Sequence, residues 1–509
     1  MDVTQILMLI TILVYLAAMV GIGAVLAKQN QTTDDFYLGG RTLGPLVTAM
    51  SAEASDMSSW LLMGLPGVAY LSGTADAAWT AIGLAIGTYV NWLFVAKRLR
   101  NYTHVCGNST TLPLFFSNRY RDNKRILSVI AALLIIIFFV PYTASGFAAC
   151  GKLFANLFGM DYLPAMLISA IVIVAYTTLG GFLAASTTDF VQSIVMTIAI
   201  VVVFGFGISK VGSFSAVMDN AKSMAGYFSL THTHDVATGT ASPYSLLQIF
   251  STLAWGLGYF GMPHVLLRFM AIGDANKLKL SRRVATVWVV ISMAVSVFIG
   301  VIGNAMTKAG VLPTLKDPET IILVVADLIS KHGVLATIIA GLILAGILAA
   351  TMSTADSQLL AASSSASQNI LKEVFMKDMS EKTGMLIARI TVLVIALIGV
   401  FIARNPDSSV FQIVSFAWAG FGASFGPLVL LALFWKRSTF QGALCGMVSG
   451  GVMVFVWKFL IRPMGGALGI YELLPAFLLG LAVNVIVSLL TPAPSREVQD
   501  EFDKVASMK

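Results

Sequence analysis

Long apolar runs separated by short polar breaks fill the chain. A helix needs about 20 apolar residues to cross a bilayer. Thirteen runs approach or reach that length: 6–27, 44–70, 76–96, 126–151, 162–182, 189–209, 244–262, 284–306, 333–354, 385–403, 409–434, 440–461 and 470–490. The stretch 319–330 reads as a short amphipathic helix outside the bilayer. The pattern predicts an all-α polytopic membrane protein.

Two runs break the rules of the bilayer. Run 2 holds Ser51, Glu53, Ser55, Asp56, Ser58 and Ser59 between the apolar flanks 43–50 and 61–71. An aspartate at a helix centre costs roughly 2.5–3.5 kcal/mol on insertion scales. Such a cluster predicts a cavity, a partner or an ion, and a helix interrupted there. Run 7 carries Gly256, Gly258, Gly261 and Pro263 among Trp255, Tyr259 and Phe260; proline removes a backbone donor and disrupts the preceding turn. Interrupted spans five apart are the pattern of two inverted five-helix repeats.

Run 9 ends in Thr351, Ser353, Thr354, Asp356 and Ser357. Ser353, Asp356 and Ser357 share a helix face, and a hydroxyl-rich face with a carboxylate suits a hard cation. Asp189, at the start of run 6, reads either as a helix N-terminal charge or as an ion-path carboxylate. Gly83 and Gly87, the series Gly442, Gly446 and Gly450, and Gly420 with Gly422 read as close helix packing.

Composition agrees with the pattern. The 509 residues are 57% hydrophobic and 11% charged, and mean hydropathy is +0.85. A soluble chain lacks the interior to hide that much apolar surface. With the N-terminus outside, 22 of the 32 Lys and Arg fall in cytoplasmic segments, as the positive-inside rule requires. These include Lys97, Arg98, Arg100, Arg119, Arg121, Lys124 and Arg125 after run 3, and Arg268, Lys277, Lys279, Arg282 and Arg283 after run 7. The net charge of +7 is then a topology signal, and no nucleic-acid partner is implied. The leader Met1 to Gln5 carries no positive charge, so run 1 is not expected to be a cleaved signal. The expected orientation is N-terminus outside, C-terminus cytoplasmic. The sequons at Asn30, Asn101 and Asn108 then lie inside, unmodified.

Cys106, Cys150 and Cys445 have no metal or disulfide spacing. His232, His234 and Asp235 fall in a solvated outer loop, about 210–243. The charged tail 491–509 reads as disordered. There is no HExxH, GxSxG or phosphate loop, so no enzyme is expected.

Several runs carry a resemblance: Ser55-Asp-Met-Ser58, Trp60 through Gly67, Trp255-Gly-Leu-Gly-Tyr259, Pro263-His264 with Arg268-Phe-Met270, and Met352-Ser-Thr354. Phe36 through Arg41 and Phe416 through Gly422 join them. Together they resemble the sodium/solute symporter family, most closely its proline-transporting bacterial members. The resemblance implies a ten-helix inverted-repeat (LeuT-like) core with broken helices, made of runs 2–11 (about 44–434) within one transmembrane domain, 1–490. It implies Na⁺-coupled uptake of L-proline across the plasma membrane, with no other cofactor and no obligatory protein partner. Sodium would bind the carbonyls of Ala54, Met57 and Ala350 and the hydroxyls of Ser353 and Thr354. Asp56, with Ser55 and Ser58, matches the family's sodium-critical cluster, and Asp189 its ion path. Trp60, Tyr142, Trp255, Tyr259 and Pro263 would form the proline pocket. Glu53 and Ser59 stand where Gly is common in the family, and Asp356 where small or hydroxyl residues are frequent, which leaves a changed ion stoichiometry or proton coupling as alternatives; a same-family symporter for another small solute is a further one.

Overall fold

The computed structural model describes residues 2–28, 32–375, 380–405 and 409–508; Asn30 lies outside them. The helices that matter here are, in order, α1 (Val3–Ala27), α2 (Pro45–Ser59), α3 (Leu65–Ser72), α4 (Thr74–Val90), α5 (Ile126–Phe158) and α6 (Tyr162–Val211). Then come α7 (Leu246–Leu253), α8 (Pro263–Ala271), α9 (Leu278–Lys308), α10 (Ile321–Ser330) and α11 (Val334–Ser364). Last are α12 (Glu381–Ala403), α13 (Val410–Phe434), α14 (Phe440–Val456), α15 (Leu473–Leu490) and α16 (Arg496–Ser507). A hairpin pairs β1 (His232–His234) antiparallel to β2 (Ala241–Pro243). Among the described residues, ten helices are long and apolar enough to cross a membrane. The other three expected spans differ. The segment 44–70 is divided into α2 and α3, and 244–262 is α7 followed by a 3₁₀ stretch. The segment 162–182 is the first part of α6, which turns at Gly181 (φ 62°, ψ −172°). Length and composition therefore support ten crossings, and the thirteen expected rest on counting these interrupted pieces as spans.

Both predicted interruptions are present, each with a local cause. In α2, Ser58 lies at φ 48°, ψ −172°, which cuts the i→i−4 ladder. Its hydroxyl takes the Trp60 N–H instead, at 3.0 Å. A single π-type turn over Trp60–Gly64 then leads into α3. In the second half, Ala254–Phe260 tightens to 3₁₀, and Pro263 restarts the chain as the first residue of α8. Proline suits that position because its fixed φ is helical and its missing N–H would be unpaired anyway.

The glycines expected to pack helices do so. A Cβ on Gly83 or Gly87 would strike the backbone of Leu253 or Gly256, so α4 lies directly on the second interruption. A Cβ on Gly446 would sit 2.6 Å from Asn484 Cβ, which joins α14 to α15. Gly258 is tightest, with its α-carbon against the Trp418 indole. Gly258→Ala is expected to cost about 1–3 kcal/mol or more, as overpacking does. The check is a lower unfolding temperature of the detergent-purified protein; an unchanged one would mean that Trp418 yields freely.

The tail differs from its expectation of disorder. Val498, Phe502 and Val505 are buried on one face of α16, and Arg121 pairs with Glu497 at 3.1 Å and Glu501 at 2.9 Å. High charge concealed an i, i+4, i+7 apolar stripe. The loop 210–243 is also more ordered than a solvated loop. It contains the hairpin, and Tyr227 hydrogen-bonds α3 through its hydroxyl. Asp235 accepts from the N–H groups of Thr238 and Ala237, which hold its carboxyl below the usual range. Among the described residues no His, Cys, Asp or Glu group is arranged to hold a metal.

Candidate functional site

Every residue from Thr48 to Gly67 is buried, which makes the broken segment the centre of the molecule. Asp56 occupies the last turn before the break. Its Oδ2 accepts the Tyr259 hydroxyl at 2.5 Å, and its backbone carbonyl accepts the Tyr142 hydroxyl at 3.1 Å. Asp56 Oδ1 has no partner within the protein. One aspartate thus joins α2, α5 and the interruption after α7.

On the other side of α2, Ser353 of α11 donates to the Ala54 carbonyl at 2.9 Å and lies 3.2 Å from the Ala350 carbonyl. Thr354 also reaches the Ala350 carbonyl, at 3.1 Å. Four of the five atoms expected to bind sodium therefore meet in one cluster of oxygens, the donor type a hard cation takes. The fifth, the Met57 carbonyl, accepts from the Trp60 N–H beside the break. Ser55 donates to the Ala52 carbonyl one turn back, at 3.0 Å.

Trp60 and Trp255, one from each interruption, lie with ring centres 5.4 Å apart. Phe411 stacks on Trp60 at 5.8 Å, and Trp418 donates its indole N–H to the Trp255 carbonyl at 2.7 Å. Asp56, Met57, Trp60, Tyr142, Trp255 and Trp418 help wall a central chamber of about 10 Å³. A water needs about that much volume, so the chamber is closed down on its own side chains. Tyr259 stands behind Asp56. Pro263 is off the chamber wall and acts as the first residue of α8.

A second buried cluster lies along α2, α6, α8 and α11. Asp189 is two turns beyond the Gly181 bend and fully buried, so it is not a helix N-terminal charge. Its Oδ2 accepts from Ser51 at 2.7 Å and from Arg268 at 3.1 Å. Arg268 also donates to Ser51 at 3.0 Å and Ser357 at 2.5 Å, and Ser357 donates to Asp356 at 3.1 Å. Arg268 was counted above as a cytoplasmic loop charge. The structure corrects this: it is 1% exposed and packs on the Phe182 ring. The signal was available, because Arg268 follows Val265, Leu266 and Leu267 and precedes Phe269 and Met270, where no loop is expected.

Sequence reading also missed a clasp at the Phe411 end. Glu319 accepts from the N–H groups of Val410 and Phe411, both at 3.1 Å, and from the Ser409 hydroxyl at 2.9 Å. It pairs as well with Lys152 at the end of α5, at 3.1 Å. Asp317 takes the same lysine at 2.8 Å. Residues 36–41 serve as a brace: Arg41 reaches the carbonyls of Met270 and Ser109.

Known proteins resemble this chain along nearly all of its length. The model of the sodium:solute symporter family matches residues 36–450. The sodium/proline symporter of Escherichia coli (strain K12) is 41% identical over 500 residues, covering 97% of this chain and 95% of that one. The osmoregulated proline transporter OpuE of Bacillus subtilis (strain 168) is 40% identical over 489 residues, 96% of each. Among solved structures, a Na⁺-coupled sialic acid symporter in a substrate-bound outward-open state superposes with a TM-score of 0.78 at 18% identity, covering 96% of this chain and 99% of that one. The nucleobase-cation-symport transporter Mhp1 gives 0.55 at 13% identity, covering 92% and 98%. These structures share the fold, the LeuT-like arrangement with broken helices.

Proposed function

This chain belongs to the sodium:solute symporter family, and on that premise we propose that it imports L-proline across the plasma membrane, driven by Na⁺. It is a transporter and not an enzyme. The proposal reads residues 1–490 as one transport unit, with the N-terminus outside and the 491–509 tail cytoplasmic. The observation that carries the mechanism is that both interruptions meet at Asp56, with Ser353 of α11 joined to the same helix.

In this reading Na⁺ occupies the oxygens of Ala54, Met57, Ala350, Ser353 and Thr354. Asp56, with Ser55 and Ser58 beside it, supplies negative charge and hydroxyls near the break. Sodium there would fix α2 against α11, which sets the position of Trp60. Proline is a zwitterion with a compact apolar ring. Trp60, Trp255 and Tyr142 offer faces for the ring and the ammonium, and Tyr259 holds Asp56. Pro263 sets the α8 end of the interruption. Asp189 lies on the route from this site towards the cytoplasm. Sodium and proline binding together change the balance between outward- and inward-open states, which couples the two. About 100 mV is worth roughly 2.3 kcal/mol per charge, and a tenfold sodium gradient adds about 1.4 kcal/mol. One Na⁺ per proline then sustains an accumulation of roughly several hundredfold.

The test is uptake of labelled L-proline into proteoliposomes under an inward sodium gradient, repeated with potassium in place of sodium. Uphill uptake with sodium alone is expected. Uptake that follows a proton gradient without sodium would move the coupling role to Glu53 and Asp356. No proline uptake under either gradient would remove the substrate assignment. Trp255→Ala is expected to raise the KM for proline about tenfold or more, on the scale of a lost aromatic contact. A change in sodium affinity alone would mean that the pocket lies elsewhere.

A further inference from the structure

Glu53 is a buried carboxylate that the sodium site above does not use. It is 1% exposed and lies one turn before Asp56 on the same face of α2. Its Oε1 accepts the Trp92 indole N–H at 2.8 Å, and its Oε2 has no partner among the described residues. Asp56 is half-satisfied in the same way, with Oδ2 on the Tyr259 hydroxyl and Oδ1 unpartnered.

A second segment brings neutral oxygens to the same place. Thr88 and Trp92 stand one turn apart on a face of α4 and its π-type continuation, Asn91–Val95. Trp92 meets Glu53. The buried Thr88 hydroxyl lies beside the Tyr259 hydroxyl that Asp56 holds, with no hydrogen-bond partner of its own. Asn91, also buried, donates its amide N–H to the Tyr259 carbonyl at 3.1 Å, which leaves its Oδ1 unpartnered. Four buried oxygens from two segments therefore lack partners: Glu53 Oε2, Asp56 Oδ1, Thr88 Oγ1 and Asn91 Oδ1. The carboxylate and amide oxygens can only accept. Leaving such acceptors unpaired is costly, and oxygens of this kind are the donors a hard cation takes. Charge points the same way. Glu53 and Asp56 are two carboxylates one turn apart, and the Arg268 guanidinium is committed to Asp189. One Na⁺ at the Ala54–Ser353 oxygens offsets only one of the two.

We propose that these four oxygens form a second Na⁺ site, on the Tyr259 side of Asp56, so that two sodium ions accompany each proline. Asp56 is shared between the two ions, and Glu53 supplies the second negative charge. Trp92 fixes one carboxylate and Tyr259 the other. The second ion ties α4 to α2 and to the second interruption, as the first ties α2 to α11. One coupled sodium sustains roughly several hundredfold accumulation, and a second raises that limit to its square. The proposal rests on the sodium-coupled reading above and extends its stoichiometry.

The test is equilibrium binding of radiolabelled sodium to the purified protein in detergent, which needs no proline. The wild type is expected to bind two ions per chain at saturation. Glu53→Gln keeps an acceptor for Trp92 and removes the charge. It is expected to bind one ion, and the Hill coefficient of its sodium-driven uptake is expected to fall from about 2 to about 1. Thr88→Val removes one neutral oxygen and no charge. It is expected to weaken the second ion about tenfold and to leave the first within about twofold. One ion per wild-type chain overturns the proposal, and so does Glu53→Gln binding two ions as the wild type does. Should Glu53→Gln not fold, Thr88→Val decides: unchanged affinity for both ions overturns the site. Two bound ions in a protein that takes up no proline would support this site and remove the substrate reading. Proline uptake by a protein that binds one ion would do the reverse.

Discussion

Asp56→Ala is expected to raise the sodium concentration for half-maximal proline uptake about 100-fold or more, on the scale of truncating one partner of a buried charge pair, while protein in the membrane stays within about twofold. Three features concentrate the effect on this residue. Its carboxylate is buried, its Oδ2 holds Tyr259, and its Oδ1 has no partner within the protein. A buried carboxylate without a cation is costly, so the charge is best explained by an ion that arrives. The neighbouring hydroxyls of Ser55 and Ser58 are neutral and cannot replace that charge. Asp56→Asn separates the two roles, because an amide keeps an acceptor for Tyr259 but loses the charge. The measurement is sodium-titrated uptake normalised to membrane protein. A wild-type sodium requirement in Asp56→Ala would sink the assignment.

Arg268→Gln is expected to act on stability first. Arg268 is the guanidinium that reaches Asp189 directly and Asp356 through Ser357. Removing one partner of a buried pair costs about 3–5 kcal/mol, since the remaining charge is left uncompensated. That is a large share of the roughly 5–15 kcal/mol that holds a domain folded. The single variant should therefore melt well below the wild type and accumulate poorly. Adding Asp189→Asn removes the stranded charge and should restore about half of the loss. Thermal unfolding of the four proteins of this cycle is the measurement. If Arg268→Gln alone melts with the wild type, the cluster carries little of the fold's stability.

The two interruptions were legible in the sequence because both violate the apolar pattern locally. Six polar side chains fall within nine residues of run 2, and three glycines and a proline mark run 7. The hydroxyls of Ser353 and Thr354 were legible for the same reason. What the pattern hides is contact between distant segments. Nothing in one dimension brings Trp60 to Trp255, or Glu319 to the start of α13. Arg268 was misread because a charge-counting rule assigns any basic residue near a span end to the loop beyond it. The α16 stripe was hidden by its own charges. The count of crossings was obscured where helices are interrupted, since an interrupted span fails a length criterion that assumes continuity.

The Glu319 clasp has a consequence for timing. One carboxylate ties three donors at the start of α13 to Lys152 on α5, and the Phe411 ring follows one residue after the first backbone donor. The four contacts fall on one carboxylate, two on each oxygen, so a displacement of Glu319 breaks all four. Moving Phe411 off the tryptophans by releasing this clasp is then expected to be switch-like, between two discrete arrangements. The distance between the ends of α5 and α13 would be distributed in two separate populations, and cargo would change their relative occupancy instead of sliding the separation continuously from one value to another.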